Sequence, residues 1–378
     1  MATPVNSPVV DKICHELSQR ANSTSDESLA MPAEFYTSAD YLELEKERVF
    51  HNDWVCLGHE DEVKNPGDYL ATELLDEPLL VARGKDKVVR VFSNVCRHRG
   101  NMIMHGSGNQ SRFVCQYHAW TYGDKGELVG APLMKDKPNF NKAACKLPEF
   151  KVEIWNKFVF VNLDGKAPPL APRLEKLQGQ IASRHHEERN LLHMEEDVWD
   201  TNWKCLVENF IEGYHLSSTH PTTLHPITPT RLCKYVEGNE QFSTYLSYYD
   251  PSWPPRGPFH PDLTEDETRH SVMGGIFPSF VFGFATDFTL FIAIRPKGVN
   301  QVSLRWGVCG PEIDPNSATA QGYVQRTRDF NAEDKEKLET LSQALKSKYY
   351  QPGPLAPSDF EGTIWDFLLY MARKTAAK

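Results

Sequence analysis

Cys96-Arg97-His98-Arg99-Gly100 and, separated from His98 by sixteen residues, Cys115-Gln116-Tyr117-His118 are the stretches that decide how this chain is read. Two Cys and two His in two short pairs can hold a metal centre. Structural zinc sites usually place both Cys in one pair and both His in the other. Here each pair carries one of each. A two-iron, two-sulfide cluster with Cys₂ on one iron and His₂ on the other asks for this order, because each loop lends a thiolate to one metal and an imidazole to the other. An unusual zinc site is the alternative. Gly100, Gly106 and Gly108 give the intervening segment room for tight turns, and Gly123 follows the second pair, as suits backbone amides that approach cluster sulfides. Val114 and Trp120 are placed to shield such a cluster.

At 378 residues, 40% hydrophobic and 24% charged, the chain can support two domains and a sizeable core. Two of the eight cysteines belong to the pairs above. Cys14, Cys56, Cys145, Cys205, Cys233 and Cys309 are scattered without the spacing of a disulfide framework, so a reduced, cytoplasmic setting is expected. The N-terminal MATPVNSPVVDKICHELSQR has neither the basic start and apolar core of an export signal nor an Arg-rich transit character. No apolar run approaches the roughly 20 residues that span a bilayer, so no membrane association is expected. A formal charge of -10 argues against nucleic acid as a partner and permits docking of a basic patch on an electron donor.

The polar break Ala21–Asp26 precedes a helix-like run from Ser38 to Val49, with Ser38 or Asp40 as its cap. From Trp54 to about Leu163, short β-rich runs (YLATELL, PLLVARG, VVRVFSN, FVCQYHAW, KFVFVNL) are punctuated by Gly, Pro and Asn. The connector Ala167-Pro168-Pro169-Leu170-Ala171-Pro172 follows. Beyond it, Trp203, Leu206, Val207, Phe210, Ile211 and Tyr214 recur at three- and four-residue spacing, which predicts a buried helix over about Asn202–His215. The runs FSTYLSYY, FPSFVFGF, FTLFIAIRP and QVSLRWGV predict an antiparallel sheet on which a helix near 331–348 packs. The expected fold class is α+β, with a small β-rich [2Fe-2S] domain (52–165) inserted in a helix-grip catalytic domain. That catalytic domain comprises an N-terminal helical part (1–51) and the mononuclear-metal part (166–378).

A second metal site is suggested by His215 at the end of the expected helix and His220 just past it. Such a pair can take two neighbouring positions on one metal, and a carboxylate would complete the 2-His-1-carboxylate triad of non-haem Fe(II) oxygenases. On the helix NAEDKEKLETLSQALKSKYY, Leu338, Leu341 and Leu345 mark one face, and Asp334 extends it. An acid facing the core needs a metal or a cation as partner. Glu333 and Glu336 fall on the polar side and read as solvated charge. Asp359 and Asp366 are the rival acids, Asp359 having an adequate role as a turn former in Pro357-Ser358-Asp359.

Together these residues resemble the oxygenase α subunits of Rieske non-haem iron oxygenases. The match runs through LAMPAEFYTSADYLELEKERVFHNDWVCLGHEDEV, NVCRHRG, CQYHAWTY and NWKCLVENFIEGYHLSSTH. The resemblance implies that Cys96, His98, Cys115 and His118 ligate a Rieske [2Fe-2S] cluster, and that His215, His220 and Asp334 ligate a mononuclear Fe(II) with Asn209 beside it. It implies use of O₂, electrons from NAD(P)H delivered by a separate ferredoxin or flavin-containing reductase, and a homotrimer. The glycine cluster Gly106-Ser107-Gly108 does not open a helix after a strand, so direct nicotinamide binding is not expected. At the position where the family places an acid linking His118 of one subunit to His215 of the next, this chain has Glu212, whereas most members have Asp. That departure is similar to the branch that oxidises carnitine, choline and betaine.

The expected reaction is monooxygenation, with oxidative N-dealkylation of an N-alkyl or quaternary amine favoured. Aromatic-ring dioxygenation is the alternative, and a non-catalytic Rieske electron carrier is a remote one that the His215, His220 and Asp334 constellation counts against. The run Ile276–Phe284 supplies many Phe rings, most of them expected in the core. Any that line the cavity would favour an aryl substrate. Trp253, Tyr245, Tyr248 and Tyr249 are candidates for a cage around a quaternary ammonium. An N-alkyl aromatic compound would satisfy both signals.

Overall fold

The computed structural model describes residues 7–254, 257, 259–312 and 314–376. It contains two compact units, Leu57–Pro168 and a unit made from two chain segments, Met1–Cys56 with Pro169–Lys378, so the former is inserted in the latter.

The larger unit opens with α1 (Pro8–Ala21), α2 (Ala33–Thr37) and α3 (Ala39–Glu45). The Ser38 side chain accepts from the Tyr41 N–H at 3.2 Å and caps α3, which continues as a wider turn over Lys46–Phe50.

Within the inserted unit the short apolar runs become β2 (Asp68–Leu74), β3 (Glu77–Arg83), β4 (Val89–Ser93), β9 (Glu149–Trp155) and β10 (Phe158–Asn162). With β1 (Val55–His59) and β5 (Ser107–Asn109) they make a seven-stranded sheet in the order β1-β10-β9-β4-β3-β2-β5. A second sheet holds β6 (Phe113–Val114), β7 (Thr121–Tyr122) and β8 (Leu128–Gly130). The run FVCQYHAW is a strand only at Phe113–Val114, because the chain turns back at Cys115–Trp120. Tyr69, Leu80, Phe92, Phe113, Trp120 and Leu128 pack around the two cluster-motif cysteines.

After the short helices α4 (Leu170–Arg173) and α5 (Glu175–Ile181), the larger unit builds its own sheet. Its strands are β11 (Asn190–Trp199), β12 (Cys233–Val236), β13 (Phe242–Tyr248), β14 (His270–Ile276), β15 (Phe280–Phe284), β16 (Thr289–Gly298) and β17 (Gln301–Gly310). They run in the order β11-β17-β16-β15-β14-β13-β12, antiparallel throughout. Helices α6 (Trp203–Phe210), α7 (Leu216–Thr219), α8 (Ala318–Ala344) and α9 (Ser358–Thr375) complete the α+β, helix-grip architecture, with α6, α8 and α9 contacting strands of this sheet.

Three expectations about helices change. The helix expected over Asn202–His215 ends at Phe210, after a start in which the Asn202 side chain accepts from the Lys204 N–H (3.0 Å). Past its end, at Gly213, a Cβ would run into the Cys233 sulfur, so only glycine fits where the chain passes β12. The helix expected near 331–348 begins thirteen residues earlier, at Ala318, behind a Ser317 side chain that accepts from the Ala320 N–H. Asp359 lies in the first turn of α9.

Strand register fixes which side chains face α6. Tyr245 pairs with Met273, Met273 with Gly283 and Gly283 with Leu290, so these four share one face of the sheet. Phe282, paired with Phe291 and Gly274, faces the other way.

Candidate metal centres

The two loops of the cluster motif share one backbone frame. In the first, the Cys96 N–H donates to the Asn101 carbonyl (2.8 Å), and the Cys96 carbonyl accepts from the Gly100 N–H (3.0 Å). In the second, the Cys115 N–H donates to the Trp120 carbonyl (2.9 Å), and the Cys115 carbonyl accepts from the Ala119 N–H (2.9 Å). Each turn passes through a left-handed residue, Gly100 at φ 75° and Ala119 at φ 54°. The frame buries Cys96 and Cys115 to 3% and 1% exposure and leaves His98 and His118 exposed. The two imidazoles lie 4.6 Å apart, and Trp120 stacks on His98 at 4.8 Å.

The Tyr122 hydroxyl sits 3.3 Å from Cys96 Sγ and accepts from the Arg97 N–H, while the Asn101 amide lies 3.8 Å from Cys115 Sγ. Burial pushes the Cys96 thiol up from its ordinary value. Burial acts on Cys115 in the same sense, but hydrogen bonds from the backbone at Tyr117 and His118 and from the Cys96 and Asn101 side chains hold it below the ordinary value. Inner sulfur donors with outer nitrogen donors suit a [2Fe-2S] cluster bound through Cys₂ and His₂.

The second centre lies at the exit of α6. His215, His220 and Asp334 each bring one donor atom within 4.8 Å of the others. His215 Nε2 is 3.7 Å and His220 Nε2 is 3.1 Å from Asp334 Oδ1. His220 and Asp334 are 0% and 6% exposed, and neither His220 Nε2 nor Asp334 Oδ1 has a hydrogen-bond partner. Two buried polar atoms aimed at each other without a hydrogen bond are what a shared cation would reconcile.

The other nitrogen of each imidazole is held by a carboxylate. His215 Nδ1 donates to Glu212 Oε1, whose second oxygen accepts from the Tyr214 and His215 N–H groups. His220 Nδ1 donates to Glu333 Oε2 at 2.6 Å, and the Thr223 hydroxyl donates to the same oxygen. Glu333 is therefore no solvated charge. Burial opposes a charge on His215, yet the Glu212 carboxylate and then Asp334 outweigh it and raise the imidazole to about 9. The site is built to hold positive charge, and with both Nδ1–H groups engaged, both Nε2 atoms are presented together.

The rival acids are elsewhere. Asp359 pairs with Lys234 at 2.8 Å, and Asp366 accepts from Tyr235 and Ser243.

A cavity opens beside the three donors. Asn209 lines it, as do Tyr245, Tyr249, Trp253 and Phe288. The Tyr245 hydroxyl donates to the Glu212 carbonyl and the Tyr249 hydroxyl bonds Ser271, so neither hydroxyl is free. Asp287 and Arg326 are charged members of the lining that sequence reasoning passed over. Tyr248 lies outside the lining, its ring against His270 and its hydroxyl on Asp266. None of Phe277, Phe280, Phe282 and Phe284 lines the cavity; their rings pack against one another, Phe291, Phe367 and Tyr370.

Comparison with known proteins agrees with this arrangement. Residues 182–377 match the model of the ring hydroxylating alpha subunit (catalytic domain), and residues 53–151 match the Rieske [2Fe-2S] domain. The carnitine monooxygenase oxygenase subunit of Escherichia coli K12 is 33% identical over 216 residues, 56% of this chain and 58% of that protein. The chlorobenzene dioxygenase subunit alpha of Cupriavidus sp. PS12 is 34% identical over 193 residues, 49% of this chain and 42% of that one. The aligned stretches thus span about half the length of these relatives. In fold, the chain superposes on a quaternary ammonium Rieske monooxygenase in complex with L-carnitine (TM-score 0.81, 24% identity, 97% and 98% of the two chains covered). It superposes equally on naphthalene 1,2-dioxygenase from Rhodococcus sp. (TM-score 0.82, 20% identity, 98% and 99% covered). With the catalytic model alone matching more than half of its length and the Rieske model matching the inserted unit, this chain belongs to the ring-hydroxylating α subunits, the oxygenase components of Rieske non-haem iron oxygenases.

Proposed function

We propose that the chain is the terminal oxygenase of a multicomponent enzyme that hydroxylates a methyl carbon of a cationic N-methyl amine, the resulting carbinol then losing the carbon as formaldehyde. The observation that carries this reading is the cavity wall of Tyr245, Tyr249 and Trp253 with the Asp287 carboxylate. Aromatic faces attract a cation that offers no hydrogen to donate, as a quaternary ammonium does. Arg326 on the same wall suits a substrate that also carries a carboxylate. The similarity to the carnitine enzyme supports this choice, and the outward-turned Phe run removes the reason to demand an aryl group.

In this reading His215 Nε2, His220 Nε2 and the Asp334 carboxylate hold the iron, and Cys96, Cys115, His98 and His118 hold the cluster. Bound there, iron supplies O₂ activation and the cluster supplies single electrons. Glu212 and Glu333 keep the Nδ1 protons of His215 and His220 fixed, Asn209 lies beside the donors, and the leucines and Phe288 limit water. Electrons come from NAD(P)H through a ferredoxin or flavin-containing reductase, and a homotrimer sets His118 of one subunit against Glu212 of the next. None of the eight cysteines is in a disulfide, which supports a cytoplasmic, reducing setting; among the described residues no helix is long and apolar enough to cross a membrane.

The test is a single turnover. Reduced enzyme, freed of reductant, is exposed to O₂ with N-methyl amines and simple arenes in parallel. Formaldehyde from a quaternary amine is the expected product, and a phenol or cis-diol formed from an arene alone would replace this reading with ring hydroxylation.

A further inference from the structure

Away from the cavity, His185, Glu188 and His260 each bring one donor atom within 4.8 Å of the others. The two imidazoles lie face to face, with centroids 3.9 Å apart and planes tilted by 33°. On one side, His185 Nε2 and His260 Nδ1 lie 2.8 and 3.8 Å from Asp262 Oδ2. On the other, His185 Nδ1 and His260 Nε2 lie 3.9 and 4.0 Å from the Glu188 carboxylate, and Glu187 adds an oxygen 3.3 Å from His185 Nδ1. Asp262 holds both rings, its carboxylate accepting from His185 Nε2 at 2.8 Å and its backbone N–H donating to His260 Nδ1 at 3.3 Å. His185 also holds φ 45°, in the left-handed region that few non-glycine residues adopt.

We propose that His185, His260 and Glu188 form a surface site for a zinc-like divalent ion, with Asp262 orienting both imidazoles and water completing the coordination. Two nitrogens and a carboxylate suit the borderline dications Zn²⁺ and Co²⁺ better than Ca²⁺ or Mg²⁺, which prefer oxygen alone. His260 and Asp262 belong to the segment between β13 and β14 that also puts Trp253 and Pro254 on the cavity wall. His185 and Glu188 belong to the turn before β11, where the buried Arg184 side chain donates to the Phe284 and His270 carbonyls. An ion at this site therefore ties the cavity's wall segment to the sheet. Only this last consequence rests on the proposed role of the cavity.

Co²⁺, whose visible bands report coordination, is titrated into protein fully loaded with iron and cluster, and iron is assayed again afterwards. One added equivalent is expected for the wild type, absent from His260→Ala and from His185→Asn, whose asparagine tolerates the left-handed backbone. Asp262→Asn should bind about tenfold more weakly or worse. Equal uptake by the wild type and both histidine variants, all shown folded by circular dichroism, would reduce the cluster to a surface ion-pair network. Zinc should also slow proteolysis within residues 249–266 in the wild type but not in His260→Ala. Equal cleavage with and without zinc would overturn the tie to the cavity wall. Neither readout uses substrate, so failure here is separable from failure of the proposed oxygenation.

Discussion

The two metal centres are built on opposite plans. Cluster donors come from two neighbouring loops, each stiffened by its own pair of backbone hydrogen bonds, with sulfurs inside and imidazoles at the surface. The candidate donors of the other centre come from a helix exit and from Asp334, 114 residues beyond His220, and carboxylates rather than backbone groups set the imidazoles. A site whose geometry is local travels with its motif. One assembled at long range depends on the fold and on acids that no motif names.

The largest effect should separate the two plans. Asp334→Ala is expected to abolish turnover and mononuclear iron while leaving the visible spectrum of the cluster intact, and Cys115→Ala to remove the cluster while iron remains. Metal analysis with absorbance decides this, and loss of both groups in either variant would show that the centres do not fold independently. Next comes Glu212→Gln, for which oxidation of the reduced cluster with substrate and O₂ present should slow about 10- to 100-fold at unchanged metal content. Near-normal rates would remove Glu212 from the mechanism. Glu333→Gln should weaken iron binding about tenfold in a chelator competition; unchanged affinity would mean that His220 is positioned without its acid.

Asp366 is a useful contrast to Asp334, being an acid set in the fold without an imidazole. Burial raises it to about 6, against the hydrogen bonds of Ser243 and Tyr235. Its folded value lies above the ordinary 3.8, so the folded state binds this proton more tightly than the unfolded chain. The associated stability is full at about pH 4 and below, and is lost as pH rises through about 6. Melting temperatures across that window should fall more steeply for the wild type than for Asp366→Asn; parallel curves would assign the slope to other groups. The smallest change concerns the twin loops. Replacing Ala119 with the glycine that its counterpart already has should relieve up to about 1 kcal/mol of backbone strain without altering the cluster spectrum. A lower melting temperature would show that the methyl group is needed for packing.

Much of this was legible in the sequence, and the exceptions share a cause. His215, His220 and Asp334 lie together in the structure as spacing along their segments suggests, although Leu341, which marked the same face of α8 in the sequence, is 42% exposed. Glu333 was misread because helix phase shows only which way it points, not that His220 arrives from that direction. The need for glycine at position 213 comes from Cys233, a residue of another strand, and no spacing within α6 shows it. Phe282 turned outward and Tyr245 inward through register with their neighbours, and alternation alone cannot choose between the two faces.

Glu333 and Asp334 are consecutive on α8, and both reach His220. Each residue along a helix advances about 100° in azimuth. Between the Ser317 cap and Glu333, one inserted residue would swing the orienting acid and the neighbouring carboxylate off target together, and seven, though they restore the azimuth to within about 20°, would carry both about 10.5 Å along the axis. The centre thus imposes a counting rule on the first half of α8. Substitutions there have some latitude in identity, while changes in length have none.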